Sequence, residues 1–124
     1  MQRKKFDSIF KSLANLFKIL AHSDRLRMVA LISEEEIDVG HLCNAIGISQ
    51  SSASQHLKLL RLNHLVSERR EGKRIFYKLD SPLVKNLIIN AVEIHSQELS
   101  KETKTVDLYK EMKSLLKPKK KIVT

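Results

Sequence analysis

The chain has 124 residues, 42% of them hydrophobic and 30% charged, a composition typical of one folded globular domain rather than of a disordered chain. The formal net charge of +9 predicts a polyanionic partner, either a nucleic acid or an anionic membrane surface. The single cysteine excludes an intramolecular disulfide and is typical of a cytoplasmic protein, and no run of about 18 apolar residues is present that would form a transmembrane helix.

The first part of the chain is predicted to be helical. Apolar residues at helical spacing, from Phe6 to Leu20, predict a long amphipathic helix rich in aromatic side chains. A second helix is predicted to begin near Ser23 as its N-cap, with Asp24 at the positive end of the helix dipole. The following stretch "SEEEID" is predicted to be a polar break between elements.

Two short helices joined by a tight turn are predicted next. The stretch "VGHLCNAIG" is typical of a short helix that ends at Gly47 as its C-cap. Ser49 is then predicted to cap a further helix, whose inward face consists of Ala53, Leu57 and Leu60. This arrangement is a helix-turn-helix.

The other faces of that further helix carry small hydroxyls and polar side chains. A recognition helix must come very close to a DNA duplex at its first turns, and serines permit that approach and can donate to phosphate oxygens. Gln55 can read adenine, and Lys58 can contact phosphate or guanine. His56 is predicted either to face DNA or to pack against the preceding helix. The helix residues predicted to bind DNA are Ser49, Gln50, Ser51, Ser52, Ser54, Gln55, His56 and Lys58.

A basic β-hairpin is predicted to follow. In "LVSERREGKRIFYKL", the segments Leu65–Arg69 and Arg74–Leu79 are rich in strand formers and Glu71-Gly72 lies between them. The tip of this hairpin is predicted to place cations on the DNA backbone or minor groove beside the recognition helix. Those cations are Arg69, Arg70, Lys73 and Arg74. A helix-turn-helix followed by such a hairpin is a winged helix.

Another amphipathic helix is predicted from Ser81 to about Ser96, with Pro82 at its first position. Its apolar stripe comprises Leu83, Val84, Leu87, Ile88, Ala91 and Val92. "SQELSKETK" is predicted to be a bend, and an amphipathic segment and a basic tail follow it. The predicted domains are therefore a DNA-binding domain, residues 1–98, and a C-terminal extension, residues 99–124.

Three stretches in this order, "LAHSDRLRMV", "SQSSASQHLKLLR" and "REGKRIFYKL", resemble the ArsR/SmtB family of bacterial winged-helix repressors. The resemblance covers residues 9–95 and departs from the family at Ser23, where proline is usual. It implies a mostly α fold with a small β-hairpin wing, and a homodimer built on the N- and C-terminal helices. It also implies a repressor that places two recognition helices in successive major grooves of an inverted repeat.

The family's sensor sites match this chain poorly. Its thiolate metal motif falls on Asp38 and Gly40, and its zinc site in the fifth helix falls on Ser81, Leu83, Ile94 and Gln97, so no metal site and no cofactor are predicted. Cys43 matches the third-helix cysteine of the family's redox-responsive branch, but no second thiol is available to pair with it. Cys43 is predicted to be a small buried apolar residue or, alternatively, a one-cysteine redox or effector site.

Two other functions compete with the repressor. The lysine-rich tail and the amphipathic segment before it are also consistent with a non-specific basic protein that shapes DNA or binds a membrane surface. A hydrolase is disfavoured because no nucleophile elbow, glycine-rich phosphate loop or metal-binding His/Glu motif is present. The chain is therefore predicted not to be an enzyme. Its predicted partners are double-stranded DNA and, as the family resemblance implies, a second copy of itself.

Overall fold

The computed structural model describes residues 3–98 and residue 111, and residues 3–98 form five helices and three strands. The elements are α1 (Arg3–Leu20), α2 (Ser23–Glu34), β1 (Ile37–Asp38), α3 (Val39–Ile46), α4 (Gln50–Leu62), β2 (Val66–Glu71), β3 (Arg74–Leu79) and α5 (Pro82–Glu98). This is the predicted winged helix-turn-helix, mostly α with a small β-sheet. The predicted segment beyond residue 98, with its basic tail, lies outside the described residues apart from Glu111. In the described part of the chain, no helix has the length and apolar character needed to cross a bilayer.

The core lies where α2, α3, α4 and α5 meet the base of the sheet. Its largest side chains are almost completely shielded from solvent, because the inward stripe of each helix faces the same centre. The predicted inward face of α4 is confirmed, since Ala53, Leu57 and Leu60 are all fully buried. The other large buried side chains are Met28, Val29, Leu42 and Val66.

The start of α2 differs by one residue from the prediction. The sequence predicts Ser23 as the N-cap, but Ser23 is the first helical residue and His22 is the cap. His22 has extended backbone angles, and its Nδ1 accepts a hydrogen bond from the backbone N–H of Asp24 at 3.2 Å. An imidazole nitrogen thus does what a serine hydroxyl usually does at this position.

The sheet contains a strand that the sequence analysis does not predict. Ile37 and Asp38, at the end of the predicted polar break, form β1 and pair antiparallel with Tyr77 and Phe76 of β3. The strand order is β1-β3-β2, so β3 lies in the centre. A two-residue strand has too little periodicity to be recognised from sequence, and it forms because β3 offers it a free edge.

The hairpin is longer than predicted and its turn is shifted. β2 continues to Glu71, which pairs with Arg74, so the turn is Gly72-Lys73 rather than Glu71-Gly72. Gly72 has a φ of 61°, a left-handed conformation that glycine adopts without steric cost. Arg69 and Arg70 consequently lie along β2, not at the tip as predicted.

The two outer helices differ in how far they are buried. α1 contacts the core only through its last turns, where Leu20 is buried and Leu16 and Ile19 are partly buried. α5 buries Val84, Ile88 and Val92, and it extends to Glu98, so it includes the first three residues of the predicted bend; the rest of that segment lies outside the described residues. The apolar side chains of α1 that remain exposed are Phe6, Ile9, Phe10, Leu13 and Phe17.

Candidate nucleic-acid interface

The turn between α3 and α4 is built from two local signals. Gly47 closes α3 with a φ of 83°, and its backbone N–H donates to the carbonyl oxygen of Cys43 at 2.8 Å. Ser49 then caps α4, because its Oγ accepts a hydrogen bond from the backbone N–H of Ser52 at 3.1 Å. Both caps agree with the prediction, and together they set the direction in which α4 leaves the core.

The outer face of α4 is polar from its first turn to its third. With Ala53 and Leu57 fully buried beneath it, Ser54, Gln55 and Lys58 are solvent-exposed. All but one of the α4 side chains predicted to bind DNA are solvent-exposed on this face. These are Ser49, Gln50, Ser51, Ser52, Ser54, Gln55 and Lys58, hereafter the α4 outer face.

His56 is placed apart from the α4 outer face. Its ring is half-buried and lies 4.5 Å, centroid to centroid, from the ring of His22, while its Nδ1 is 3.2 Å from Nη1 of Arg25. Burial, together with the nearby His22 and Arg25, lowers the pKa of His56. Of the two predicted alternatives, packing within the protein therefore fits His56 better, and these contacts are with residues at the start of α2.

Two of the four predicted wing cations are held by carboxylates. Arg69 on β2 forms ion pairs with Glu36 and Glu71, and its guanidinium lies 4.6 Å from the ring centroid of Phe76. Arg74 on β3 lies 3.4 Å from Asp38, and its guanidinium lies 4.9 Å from the centroid of the same ring. Their charge is thus partly neutralised within the protein.

Arg70 and Lys73 are different, since both are exposed and neither has an ion pair to another described residue. Lys73 is in the turn itself, and Arg70 lies two residues before the turn on β2. Among the described cations of the hairpin, these two are best placed to attract a phosphate backbone.

The carboxylates that hold the wing are not among the predicted site residues. Glu36 accepts hydrogen bonds from Arg69, which holds the pKa of that carboxyl below its ordinary value. Burial alone would raise the pKa of Asp38, but hydrogen bonds from His41 and Arg74 lower it overall. The acidic stretch 34–36 gives no hint of this role in sequence, because its partners are about 33 residues away.

Cys43 is a core residue by its position. It is only 9% exposed, and burial raises the pKa of its thiol, so the reactive thiolate form is disfavoured. These observations support the prediction that Cys43 is a small buried apolar residue over the alternative that it is a redox or effector site.

Comparisons with known proteins agree with this geometry. Residues 22–68 match the model of the family described as "Bacterial regulatory protein, arsR family". The chain is 38% identical over 77 residues to the HTH-type transcriptional regulator KmtR of Mycobacterium tuberculosis, an alignment that covers 62% of this chain and 59% of that protein.

Two further comparisons cover more of the chain. It is 39% identical over 88 residues to the biofilm growth-associated repressor of Xylella fastidiosa, covering 71% of this chain and 77% of that one. The homodimeric winged helix-turn-helix DNA-binding domain of Mb0332 from Mycobacterium bovis superposes with a TM-score of 0.73 at 27% identity. That superposition covers 82% of this chain and 94% of the domain.

Proposed function

Because the chain belongs to the arsR family of bacterial regulatory proteins, we propose that it is a sequence-specific DNA-binding transcriptional regulator. It binds an inverted-repeat operator as a homodimer, with α4 in the major groove and the wing on the flanking backbone. It acts as a repressor in the cytoplasm and has no catalytic activity of its own.

The α4 outer face is the observation that carries this proposal. Ser51, Ser52 and Ser54 in its first two turns are small, which allows the helix axis to approach the floor of the groove. The backbone N–H groups at the start of α4 add a partial positive charge that favours phosphate. Gln55 follows at the point where a longer side chain can reach an adenine edge and form two hydrogen bonds with it.

The wing supplies the contacts that do not depend on sequence. Arg70 and Lys73 lack carboxylate partners among the described residues, so their charges can neutralise DNA phosphates. Arg69 and Arg74 instead stabilise the wing against β1 and the segment before it. We thus assign the phosphate contacts chiefly to Arg70 and Lys73.

The exposed apolar residues of α1 support the homodimer. A monomer in water would leave several aromatic and aliphatic side chains of this helix exposed, with Phe10 at 64% and Phe17 at 54%. The superposed domain from Mycobacterium bovis is described as homodimeric. A second copy of the chain is the partner that would cover this face and set the spacing of two α4 helices.

The test is a pair of DNA-binding titrations, one with the duplex upstream of the protein's own gene and one with a scrambled duplex. We expect the Gln55→Ala variant to lose about 1–3 kcal/mol of binding free energy on the cognate duplex and little on the scrambled one. Gln97→Ala, which removes the same exposed side chain from the far end of α5, is the matched control and should bind as the unmodified protein does.

Two outcomes would contradict the proposal. An equal loss on both duplexes would show that Gln55 does not read a base. Equal and steeply salt-dependent binding of the unmodified protein to every duplex tested would favour the non-specific basic protein instead.

A further inference from the structure

Three side chains with metal-binding atoms meet where α2 begins beside α4. His22 caps α2, Asp24 lies in its first turn, and His56 projects from the middle of α4. One ligand atom from each of the three lies within 4.8 Å of the others, and all three residues are half-buried. His22 and His56 are 34 positions apart in the chain, so only the fold brings them together.

We propose that His22, Asp24 and His56 form a binding site for a divalent transition-metal ion such as Zn²⁺ or Ni²⁺. Two imidazoles and one carboxylate are a donor set that suits these ions and not Mg²⁺ or Ca²⁺, which prefer oxygen ligands. Three protein ligands with a solvent molecule in the remaining position are a common arrangement for zinc. The half-exposed position of the cluster leaves room for that solvent molecule.

The surroundings of the cluster determine how an ion would enter. The charged neighbours are Arg25, whose Nη1 lies 3.2 Å from Nδ1 of His56, and Arg27, whose Nη1 lies 3.9 Å from Asp24. Nδ1 of His22 is occupied by the backbone N–H of Asp24. Because each Nδ1 faces an N–H donor, it is the acceptor of that hydrogen bond, and Nε2 is the nitrogen of each ring left to donate.

Metal binding therefore competes with these hydrogen bonds. An ion bound through Nδ1 of either ring displaces the N–H donor that faces this atom. An ion bound through Nε2 instead requires the ring proton to be on Nδ1, where it faces the same N–H donor. In either case Arg25 must withdraw from His56. The ion would thus replace the Arg25–His56 contact between α2 and α4 with a link through the metal. Any effect of this replacement on DNA binding depends on the proposed role of α4.

The test is a titration of the full chain, without DNA, with Zn²⁺ by calorimetry and with Co²⁺ by visible absorption as a probe of coordination. We expect one ion per chain. The variants His56→Gln and Asp24→Asn should each weaken the affinity at least tenfold, since even outer-sphere partners of metal ligands contribute about 10- to 100-fold. His41→Gln and His64→Gln, which remove exposed histidines outside the cluster, are the controls and should bind as the unmodified chain does.

Arg25→Gln is expected to bind the ion more tightly, because it removes the competing cation, and a folding defect does not produce a change in that direction. Circular dichroism of every variant, compared with the unmodified chain, confirms that the fold is kept. An unmodified chain that binds no ion, or an unchanged affinity in either ligand variant, would overturn the metal site.

The proposed function is tested separately by repeating the operator titration with and without Zn²⁺. If the ion binds at the cluster but the operator is not bound in either condition, the proposed function fails and the metal site stands. If the operator is bound but no ion binds to the protein, the metal site fails and the proposed function stands.

Discussion

Ser49 has two roles in this structure, because one hydroxyl serves both the fold and the proposed DNA contact. Its Oγ accepts the backbone N–H of Ser52, and it is also 3.3 Å from Oγ of Ser51. A hydroxyl that accepts in this way still has its own proton to donate to a phosphate oxygen. The serine-rich start of α4 thus stabilises the helix and leaves its outer side chains small.

We expect Ser49→Ala to lower the free energy of unfolding by about 0.5–2 kcal/mol, because a helix donor loses its partner. Urea denaturation measures this change. The matched control is Ser54→Ala, which removes an exposed hydroxyl that caps no helix in the described region and should change stability by no more than about 0.5 kcal/mol. Equal effects of the two substitutions would contradict the capping role.

At the scale of elements, the outer half of the wing is held by charges from outside the hairpin. Glu36 and Asp38, which lie on either side of Ile37 at the start of β1, pair with Arg69 on β2 and Arg74 on β3. Both guanidinium groups also contact the ring of Phe76. Surface ion pairs contribute little individually, but this set links β1 to both strands of the wing and limits its orientation.

The wing cations should divide into two classes in DNA binding. We expect Arg70→Ala and Lys73→Ala each to reduce the slope of log K against log salt concentration by about 1 on any duplex. Arg69→Ala should reduce that slope less, because Arg69 is already paired with Glu36 and Glu71. Titrations over a salt series measure the slopes, and an equal reduction by all three variants would contradict the division.

The Glu36–Arg69 pair predicts a dependence of stability on pH. Because the pKa of Glu36 is lower in the folded chain than its ordinary value of 4.5, the stabilisation is present above that value and is lost as the pH falls through the lowered pKa. Glu36→Gln should be less stable than the unmodified protein near neutral pH and equal to it in strong acid. Urea denaturation over this pH range measures the difference, and Glu35→Gln, at an exposed neighbour, is the control.

At the scale of the whole molecule, α1 has two faces with different surroundings. One face is polar and includes Lys4, Asp7, Ser8, Lys11, Ser12 and Asn15. The other carries the exposed aromatic and aliphatic side chains from Phe6 to Phe17, and only the last turn of the helix is anchored in the core. An apolar face of this length is more consistent with a partner than with solvent.

We expect Phe10→Asp to dissociate the proposed homodimer and to abolish operator binding. Burial of a phenylalanine contributes about 1.5–3 kcal/mol, and each dimer loses two such side chains, so the dissociation constant should rise roughly a hundredfold or more. Sedimentation velocity measures the change. Ser12→Asp adds the same charge to the polar face and should leave the dimer intact, and a dimeric Phe10→Asp variant would exclude this face from the interface.

Much of this architecture follows from local patterns in the sequence. Gly47 and Ser49 set the ends of two helices through interactions within a few residues, and the buried stripe of α4 follows from helical periodicity alone. The hairpin is recognisable in the same way. The predicted turn is one residue too early, because Gly72 belongs to both candidate turns and the register of β2 on β3 decides between them. The predicted division at residue 98 stays a prediction.

Only the tertiary structure decided which residues that are distant in the chain contact one another. The sequence by itself determined the order of the five helices and the hairpin and the buried stripe of α4, since these depend on periods of two to four residues. It could not place β1 beside β3, pair Arg69 with Glu36, or bring His56 to His22, because each relation joins residues about 30 to 40 positions apart. Such contacts depend on how the helices and the sheet pack around the common core, and no local pattern encodes that packing.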